Sequence, residues 1–508
     1  MRRFRSLQTS LPPLLLISSL FALYLSTLAP GLTWANEGSD GGDLIAAAAT
    51  GGVPHPTGYP LYLLLARAFQ FLPVGSLAFR TNLLSAIVTA LAAGVVYALV
   101  ANLSAGSKET ADWAAGLGAG YAFGLAPLVW SQAVITEVYG LQALLVALIL
   151  YLYTRPETVS PPARARLDGW RGLVLGLAMG NHLTSLLLVP AALLVGSVQT
   201  RTPPDGRFSF ANLKLDCGAL LRQLGMFAAG LSVYLILPLR AIGDPPVNWG
   251  NAITPQGFWW LVSGHLYQAY YLQFSVSSVV DRIFAAAALL VEQFGLPGVI
   301  LGTAGLILFG KGNRLFILTS WMAIVFSAFA VLYGSHDAFV YLLPVFLSFA
   351  IWMGASLIGV SKKFTGRNRL LRNGPALLLI SYLLIRSMSY ISQVDASTDR
   401  QAESFGRQVL SAAPEQAIIF ATGDQAVFAL WYFHFAVGER PDLALIAVDL
   451  LHFDWYEESL RASYPSLILP EPFLWLETVS AANPARPICY VHYAEDIGLE
   501  CSHSSNPP

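Results

Sequence analysis

Apolar stretches long enough to cross a lipid bilayer recur through most of this 508-residue chain. A helix needs about 20 apolar residues to span the hydrocarbon core, and the segments 81–103, 284–310 and 338–358 reach that length. Only 12% of the residues are charged, whereas soluble domains carry about a quarter. Because this leaves too little polar surface for a soluble fold, the sequence predicts an all-α, polytopic bundle of membrane-spanning helices.

Basic residues give the predicted orientation of these helices. Arg2, Arg3 and Arg5 precede the first apolar run, 11–30, which lacks a small-residue cleavage site. It is therefore predicted to remain as a helix with its N-terminus in the cytoplasm. The arginine-rich loop 154–171 is also predicted to be cytoplasmic. Alternation of the remaining runs predicts about eleven crossings of the cell membrane and an extracytoplasmic C-terminus.

One apolar stretch, 172–198, is interrupted by polar residues at Asn181 and His182. The loop that follows it carries a group of basic residues: Arg201, Arg207, Lys214 and Arg222. A single long helix would place those charges outside, against the positive-inside rule. The sequence therefore predicts two short helices in a hairpin that turns near Asn181–Thr184.

From about Val394 the composition becomes that of a soluble domain. A strand, a helix and two further strands are predicted, in this order: Ala417–Ala421, Asp424–Val437, Leu443–Val448 and Ile488–His492. This order predicts a small extracytoplasmic α/β domain over 394–508, after a transmembrane domain over 1–393. Cys489 and Cys501 fall in the predicted domain, as a disulfide or as free thiols.

The first extracytoplasmic loop, 31–80, contains three carboxylates at three-residue spacing: Glu37, Asp40 and Asp43. Asp40 is a predicted helix cap, with Asp43 at the third position of an Ala-rich helix that ends at Gly51-Gly52. Two interpretations follow from this pattern. The acids stabilise a helix beside the membrane, or one of them is a general base for an acceptor hydroxyl or amine.

Further polar residues fall at the predicted outer ends of the spans: His55, Glu137, His182, Arg240, Asn248, His265, His336 and Asp337. Singly they have structural explanations, such as a Glu137–Arg240 ion pair or capping of a turn by His182. Together on one side of the membrane they indicate a functional cavity. Arg240 is the predicted partner for an anion, because its planar fork of donors matches phosphate oxygens.

Several blocks of sequence resemble a family of GT-C-type membrane glycosyltransferases. The blocks are DGGDLIAAA from Asp40, HPTGYPLY from His55, RTNLLS from Arg80, WSQAVITEVYGL from Trp130, Gly180-Asn181-His182, PLRA from Pro238 and Asn248-Trp249-Gly250, with shorter matches at Gly423-Asp424, Leu430-Trp431-Tyr432 and Arg440-Pro441-Asp442. The family comprises bacterial relatives of the eukaryotic transmembrane O-mannosyltransferase that modifies plexin-type receptor domains. The resemblance covers nearly the whole chain. Asp43 stands where the family usually has Glu, and Thr57 replaces the second proline of its HPPG motif.

The resemblance implies a GT-C fold with the catalytic acid in the first extracytoplasmic loop. Asp40 and Asp43 are the implied catalytic acids, with Asp40 as the general base, and Arg240 and His55 would bind the donor phosphate. The implied substrate cavity comprises Glu37, Tyr59, Tyr62, Arg80, Glu137, His182, Asn248, His336 and Asp337. Some relatives hold a divalent cation on loop carboxylates, so Glu37, Asp40 and Asp43 are also candidate ligands for magnesium or manganese.

The expected activity is transfer of a hexose, mannose, from a polyprenyl-phosphate donor to an extracytoplasmic protein or glycan acceptor, with inversion at the anomeric carbon. One alternative is a transporter or flippase of lipid-linked sugars, which favours charged residues near mid-membrane and inverted repeats. Another is a membrane scaffold without catalysis, in which Asp424 and Trp431-Tyr432 are only capping and core residues. Membrane lipids are expected partners, and no motif for nucleic acids is present.

Overall fold

The computed structural model describes residues 2–103, 113–155, 160–200, 213–271, 273–309, 313–364, 369–470, 476–493 and 497–502. Arg201 and Arg207, on which the hairpin prediction partly depended, lie outside the described residues.

Helices make up most of the described chain, and six short strands accompany them. The first half contains α1 (Arg2–Ser26), α2 (Gly41–Thr50), α3 (Pro60–Gln70), α4 (Leu77–Ala101), α5 (Trp113–Gly124), α6 (Pro127–Ala133), α7 (Tyr139–Tyr153), α8 (Pro161–Asn181) and α9 (Val189–Ser197). Then follow β1 (Val198–Thr200), β2 (Leu213–Leu215), α10 (Cys217–Leu231), α11 (Ile236–Ala241), α12 (Pro255–Val262), α13 (Val276–Leu308), α14 (Arg314–Leu332), α15 (Leu343–Lys363) and α16 (Arg369–Met388). The C-terminal part contains α17 (Ile391–Val394), α18 (Gln401–Ala412), β3 (Ile418–Thr422), α19 (Asp424–Trp431), β4 (Ala444–Ala447), α20 (Asp454–Ser463), α21 (Leu476–Ala482), β5 (Ile488–Tyr493) and β6 (Ile497–Ser502).

Five helical segments of the described residues are long and apolar enough to cross a membrane: Leu77–Ala101, Cys217–Ala241, Val276–Leu308, Arg314–Leu332 and Ala338–Lys363. Shorter apolar helices lie at Leu11–Ser26, Tyr139–Tyr153 and Leu183–Ser197. Glycines let some of these helices pack closely. A Cβ at Gly172 or Gly176 of α8 would lie within 2.1–2.3 Å of backbone oxygens of α10, which is the close contact that small residues allow between membrane helices.

The interrupted apolar stretch forms the predicted hairpin. Helix α8 ends at Asn181, His182 is extended (φ −153°, ψ 130°), and a 3-10 helix from Leu183 leads into α9. Asp168 near the start of α8 pairs with Arg222 of α10 at 2.8 Å. The side-chain amide of Gln223, the residue after Arg222 in α10, donates to the hydroxyl of Ser197 at the end of α9 at 3.1 Å. The start of α8 and the end of α9 therefore lie at the same end of the bundle.

Residues 31–80, which contain the three carboxylates, are called the acid loop below, and they include the short helix that the sequence predicts. Asp40 occupies the N-cap position of α2, and the helix ends in left-handed Gly51 (φ 73°), a conformation that glycine adopts without strain. After α2, the Val53 amide donates to the Val247 carbonyl at 2.8 Å. The Trp249 amide then donates to the Val53 carbonyl at 3.1 Å, which joins this loop to the segment after α11.

The C-terminal unit, residues 395–502, contains a sheet of four strands in the order β4-β3-β5-β6. Strand β3 pairs in parallel with β4 and β5, and β6 is antiparallel to β5. The three predicted strands and the helix after β3 are confirmed, whereas β6 was not predicted. Cys489 and Cys501 lie opposite each other on β5 and β6 and form a disulfide.

Two contacts join the C-terminal unit to the acid loop. A Cβ at Gly42 of α2 would lie 2.2 Å from the Phe428 carbonyl oxygen of α19, so the two helices meet at their backbones. The carboxylate of Asp399 accepts hydrogen bonds from the Thr33 hydroxyl and from the amides of Trp34 (3.0 Å) and Ala35 (3.1 Å). The acid loop therefore packs between the helical bundle and the sheet.

Candidate active site

A cavity of about 780 Å³ lies between one end of the helical bundle and the C-terminal unit. Its walls include most of the polar residues that the sequence predicted for one side of the membrane: Glu37, Asp40, His55, Tyr59, Glu137, His182, His336 and Asp337. Among the described residues, no lysine or arginine lines it. The structure thus brings residues of separate motifs together at one cavity.

His55 lies between the two acids of α2. Its backbone amide donates to Oδ2 of Asp43 at 2.9 Å, and its ring Nδ1 lies 2.7 Å from the same oxygen. The other oxygen of Asp43 accepts the Trp249 indole N–H at 3.2 Å. Nε2 of His55 lies 3.5 Å from Oδ2 of Asp40. Asp43 is therefore buried behind His55, which it orients, and Asp40 is the acid that faces the cavity.

Burial and these charges change the ionisation of Asp40 and His55. Enclosure raises the pKa of Asp40 above its usual value, opposed by His55 and reinforced by Asp337 and Asp43. Burial opposes protonation of His55, but the charges of Asp40 and Asp43 outweigh it and raise its pKa to about 9. His55 is therefore an imidazolium at neutral pH, beside an acid that is more basic than usual.

Glu137 lies in the link between α6 and α7 and is 6% exposed. Burial raises its pKa well above the usual value, and the charge of Asp40 adds to this effect. This shift favours the protonated carboxyl group, a form that can donate a hydrogen bond. Glu37 and His336 instead form an exposed pair at the rim, 3.3 Å apart.

Five residues that the sequence placed in the site do not line the cavity, namely Asp43, Tyr62, Arg80, Arg240 and Asn248, and neither does His265. The guanidinium of Arg240 donates to the carbonyls of Gly52 (3.0 Å) and Ala47 (3.4 Å). It therefore stabilises the C-terminal end of α2, and the suggested Glu137–Arg240 ion pair does not form. Arg80 likewise donates to backbone carbonyls, those of Gln70, Val74 and Gly75, while Tyr62 and Asn248 are buried.

The suggested cluster of three carboxylate ligands for a cation does not assemble in the described residues. Asp43 is engaged by His55 and Trp249, whereas Glu37 lies with His336 at the rim. Among the described residues, no group of three or more His, Cys, Asp or Glu has the arrangement needed to hold a metal ion.

Sequence reasoning missed two parts of the cavity wall. Aromatic residues of the bundle and of the segment after α12 supply one part: Tyr139, Tyr267, Tyr270, Tyr271, Phe329, Tyr333 and Tyr341. The C-terminal unit supplies the other, at Thr422–Ala426 and at His492-Tyr493. The order of predicted strands contained a signal for the second part, since ligands of parallel sheets bind beyond the carboxyl ends of the strands.

Comparison with known proteins identifies two family models along the chain. Residues 40–203 match the N-terminal domain of the protein O-mannosyl-transferase TMEM260, and residues 402–484 match the TMEM260-associated domain 2. The mouse protein O-mannosyl-transferase TMEM260 is 27% identical over 482 residues, covering 89% of this chain. Its counterpart from Dictyostelium discoideum is 24% identical over 541 residues, covering 93% of this chain. This chain spans 65% and 62% of the length of those two relatives.

Solved structures share the fold at low sequence identity. ArnT from Cupriavidus metallidurans, bound to undecaprenyl phosphate, superposes with a TM-score of 0.60 at 13% identity, covering 96% of this chain and 93% of ArnT. The archaeal oligosaccharyltransferase AglB from Archaeoglobus fulgidus, in complex with an inhibitory peptide and a dolichol-phosphate, gives a TM-score of 0.53 at 11% identity, covering 96% and 70%. The chain is therefore similar to the TMEM260 protein O-mannosyl-transferases along most of its length, and it shares the GT-C fold of membrane glycosyltransferases with ArnT and AglB.

Proposed function

We propose that this chain transfers mannose from a polyprenyl-phosphate-linked donor to protein hydroxyls on the extracytoplasmic side of the cell membrane. The observation that carries the proposal is the group formed by Asp40, His55 and Asp43 at a cavity of about 780 Å³. A cavity of this volume lies within the usual range of small-molecule sites. The relatives' name and the polyprenyl phosphates bound to ArnT and AglB support the same donor and reaction class.

In the proposed reaction Asp40 is the general base. Its carboxylate accepts the proton of an acceptor hydroxyl while that oxygen attacks the anomeric carbon of the sugar. The bond between the anomeric carbon and the phosphate oxygen breaks, and its electron pair leaves with the polyprenyl phosphate. One displacement of this kind inverts the anomeric centre. The raised pKa of Asp40 suits this role, because a more basic carboxylate takes up the proton more readily.

His55 has a different part in this scheme. The donor phosphate needs a cationic partner, and no lysine or arginine lines the cavity within the described ranges. The imidazolium of His55 lies 3.5 Å from Asp40, so it can donate to the phosphate while Asp43 holds its ring from behind. This assignment replaces the earlier expectation that Arg240 binds the phosphate.

The first test is Asp40→Asn in the full chain, purified in detergent and supplied with polyprenyl-phosphoryl mannose and a serine- and threonine-rich polypeptide. Loss of the base should lower kcat by about 10²–10⁴-fold, with an unchanged melting temperature. Asp454→Asn is the matched control, because Asp454 is an exposed acid at the first position of another helix, α20. Full activity in the Asp40 variant would exclude it as the base, and a wild-type chain that never consumes the donor would overturn the proposed function.

A further inference from the structure

The C-terminal unit turns the carboxyl ends of its parallel strands toward the cavity. Thr422 ends β3, His492 lies near the end of β5, and both line the cavity. The link and first turn after β3, residues 423–426, line it as well. In open α/β sheets this edge is where ligands bind, so the unit contributes a surface to the site.

The two parts of the cavity wall differ in chemistry. Besides the polar residues named above, the bundle contributes aromatic and aliphatic side chains, among them Phe329, Leu186 and Leu187, and Leu186 is 51% exposed on the surface of the bundle. A polyprenyl tail favours apolar surface that is continuous with lipid. The wall of the C-terminal unit is polar, and a water-soluble polypeptide can reach it without crossing apolar surface. The polar wall is therefore the side for the acceptor.

Asp424 is the acid of this polar wall. It is the first residue of α19, and Gly423 before it is the cap, so the carboxylate does not cap its own helix. The neighbouring acid Asp449 is already engaged, because it accepts the Gly423 amide at 2.7 Å. Among the described residues, the Asp424 side chain forms no hydrogen bond or ion pair of its own, and it is exposed to the cavity.

We propose that Asp424 is a specificity-determining residue that accepts hydrogen bonds from N–H groups of the acceptor polypeptide and so sets the reacting hydroxyl beside Asp40. The inference rests on the proposed function, for which it names the acceptor-binding side and a residue of it. Asp40 is committed to the proton of the hydroxyl. A second carboxylate in the same cavity is free to hold the acceptor without taking part in the bond changes.

The state of Asp424 is compatible with this role. Enclosure by the protein and, to a smaller extent, the charge of Asp40 raise the pKa of Asp424 to about 6. The side chain is therefore ionised at neutral pH, and hydrogen bonds to a carboxylate are stronger than those to a neutral amide.

The test compares Asp424→Asn with Asp424→Glu and with Asp454→Asn, each in the full chain. The Asn variant should raise the acceptor KM about tenfold or more, the size expected for loss of a charge-assisted hydrogen bond. Its donor KM should remain as in the wild type, because the proposed contact is to the acceptor. Asp424→Glu should recover most of the acceptor affinity, and Asp454→Asn should change none of these values.

Three results would overturn the inference: an unchanged acceptor KM, an equal rise in the donor KM, or a lowered melting temperature that accounts for the defect. Failure of the proposed function is distinguishable, because it would show as absent donor consumption in the wild type. In that case direct binding of the same serine- and threonine-rich polypeptide still tests Asp424. Equal affinity of wild type and Asp424→Asn for that polypeptide would then count against it.

Discussion

At the scale of single residues, the two acids of α2 have different surroundings although they are three positions apart. Asp43 is fully buried and accepts from the His55 amide and ring and from the Trp249 indole. The side chain of Asp40 is 40% exposed, toward the cavity. Spacing alone left open which acid takes the proton, because a three-residue step places both on the same side of a helix. The geometry favours Asp40 as the base and Asp43 as a positioning residue.

The ionisation of His55 predicts the alkaline side of the pH profile. Its pKa is raised to about 9, so the imidazolium persists up to that pH and is lost above it. If this cation binds the donor phosphate, kcat/KM for the donor should fall as pH rises through about 9. Asp43→Asn removes a charge that stabilises the imidazolium, and the alkaline limb should therefore move to lower pH.

A pH–rate series on the wild type, Asp43→Asn and Glu37→Gln measures this effect. Glu37 pairs with exposed His336 at the rim and is not among the charges that act on His55, so its variant should keep the wild-type limb. An alkaline limb in the same place for all three proteins would show that His55 is not the titrating group.

At the scale of elements, α2 is held at its C-terminal end and along one face. Arg240 donates to the carbonyls near that end, and Gly42 meets the backbone of α19. The helix has only ten residues, too few to be stable alone in water. Its geometry therefore depends on these tertiary contacts.

Gly42→Ala tests the contact between α2 and α19. The new Cβ would lie 2.2 Å from the Phe428 carbonyl oxygen and 2.5 Å from its carbon, and backbone atoms cannot rotate away. Overpacking of this kind costs about 1–3 kcal/mol, so the melting temperature should fall and activity should fall with it. Gly225→Ala in α10 is the matched control, because a Cβ there meets no atom within 4 Å, and it should be neutral or stabilising by up to about 1 kcal/mol.

Local elements of this chain were largely predictable, and contacts between distant elements were not. The start of α2 after Asp40, its glycine end and the break at His182 follow from local rules for helix ends and for membrane charge, although the Asp40 side chain does not cap the helix. Arg240 was predicted at the phosphate site, but it bonds to carbonyls at the end of α2 instead. Its position beside the outer end of a span does not reveal that α2 presents unpaired carbonyls to it. Side chains that satisfy a buried helix end are decided by tertiary packing.

At the scale of the whole molecule, the C-terminal unit does not stand apart from the bundle. Asp399 accepts hydrogen bonds from Thr33, Trp34 and Ala35 in the loop before α2. The ring centroids of Trp249 and of Phe428 each lie 6.3 Å from the ring centroid of His55. Sequence composition predicted the α/β unit, but no local pattern showed that its sheet edge would complete the cavity.

Asp399→Asn should weaken this attachment. Burial opposes ionisation of Asp399, but hydrogen bonds from Thr33, Gln401, Ala35 and Trp34 outweigh it and lower its pKa below the usual value. Its stabilising effect is therefore present above about pH 4, the unfolded value, and is lost as pH falls through the lower folded pKa.

At neutral pH the variant should lower the free energy of unfolding by about 1–2 kcal/mol, measured as a lower melting temperature in detergent. The difference from wild type should shrink below about pH 4, while Asp454→Asn should match the wild type at every pH. A melting temperature that Asp399→Asn leaves unchanged at neutral pH would contradict a role for this carboxylate in attaching the unit.

Unlike the guanidinium of arginine, the imidazolium of histidine can lose its proton when the charges around it change. The pKa of His55 is raised chiefly by the charge of Asp40, and the proposed reaction neutralises that charge when Asp40 takes up a proton. Loss of the Asp40 charge removes the largest contribution that raises the pKa of His55, whereas an arginine would keep its charge whatever its neighbours do. The protonation of His55 is thus linked to the same proton transfer that completes the glycosidic bond.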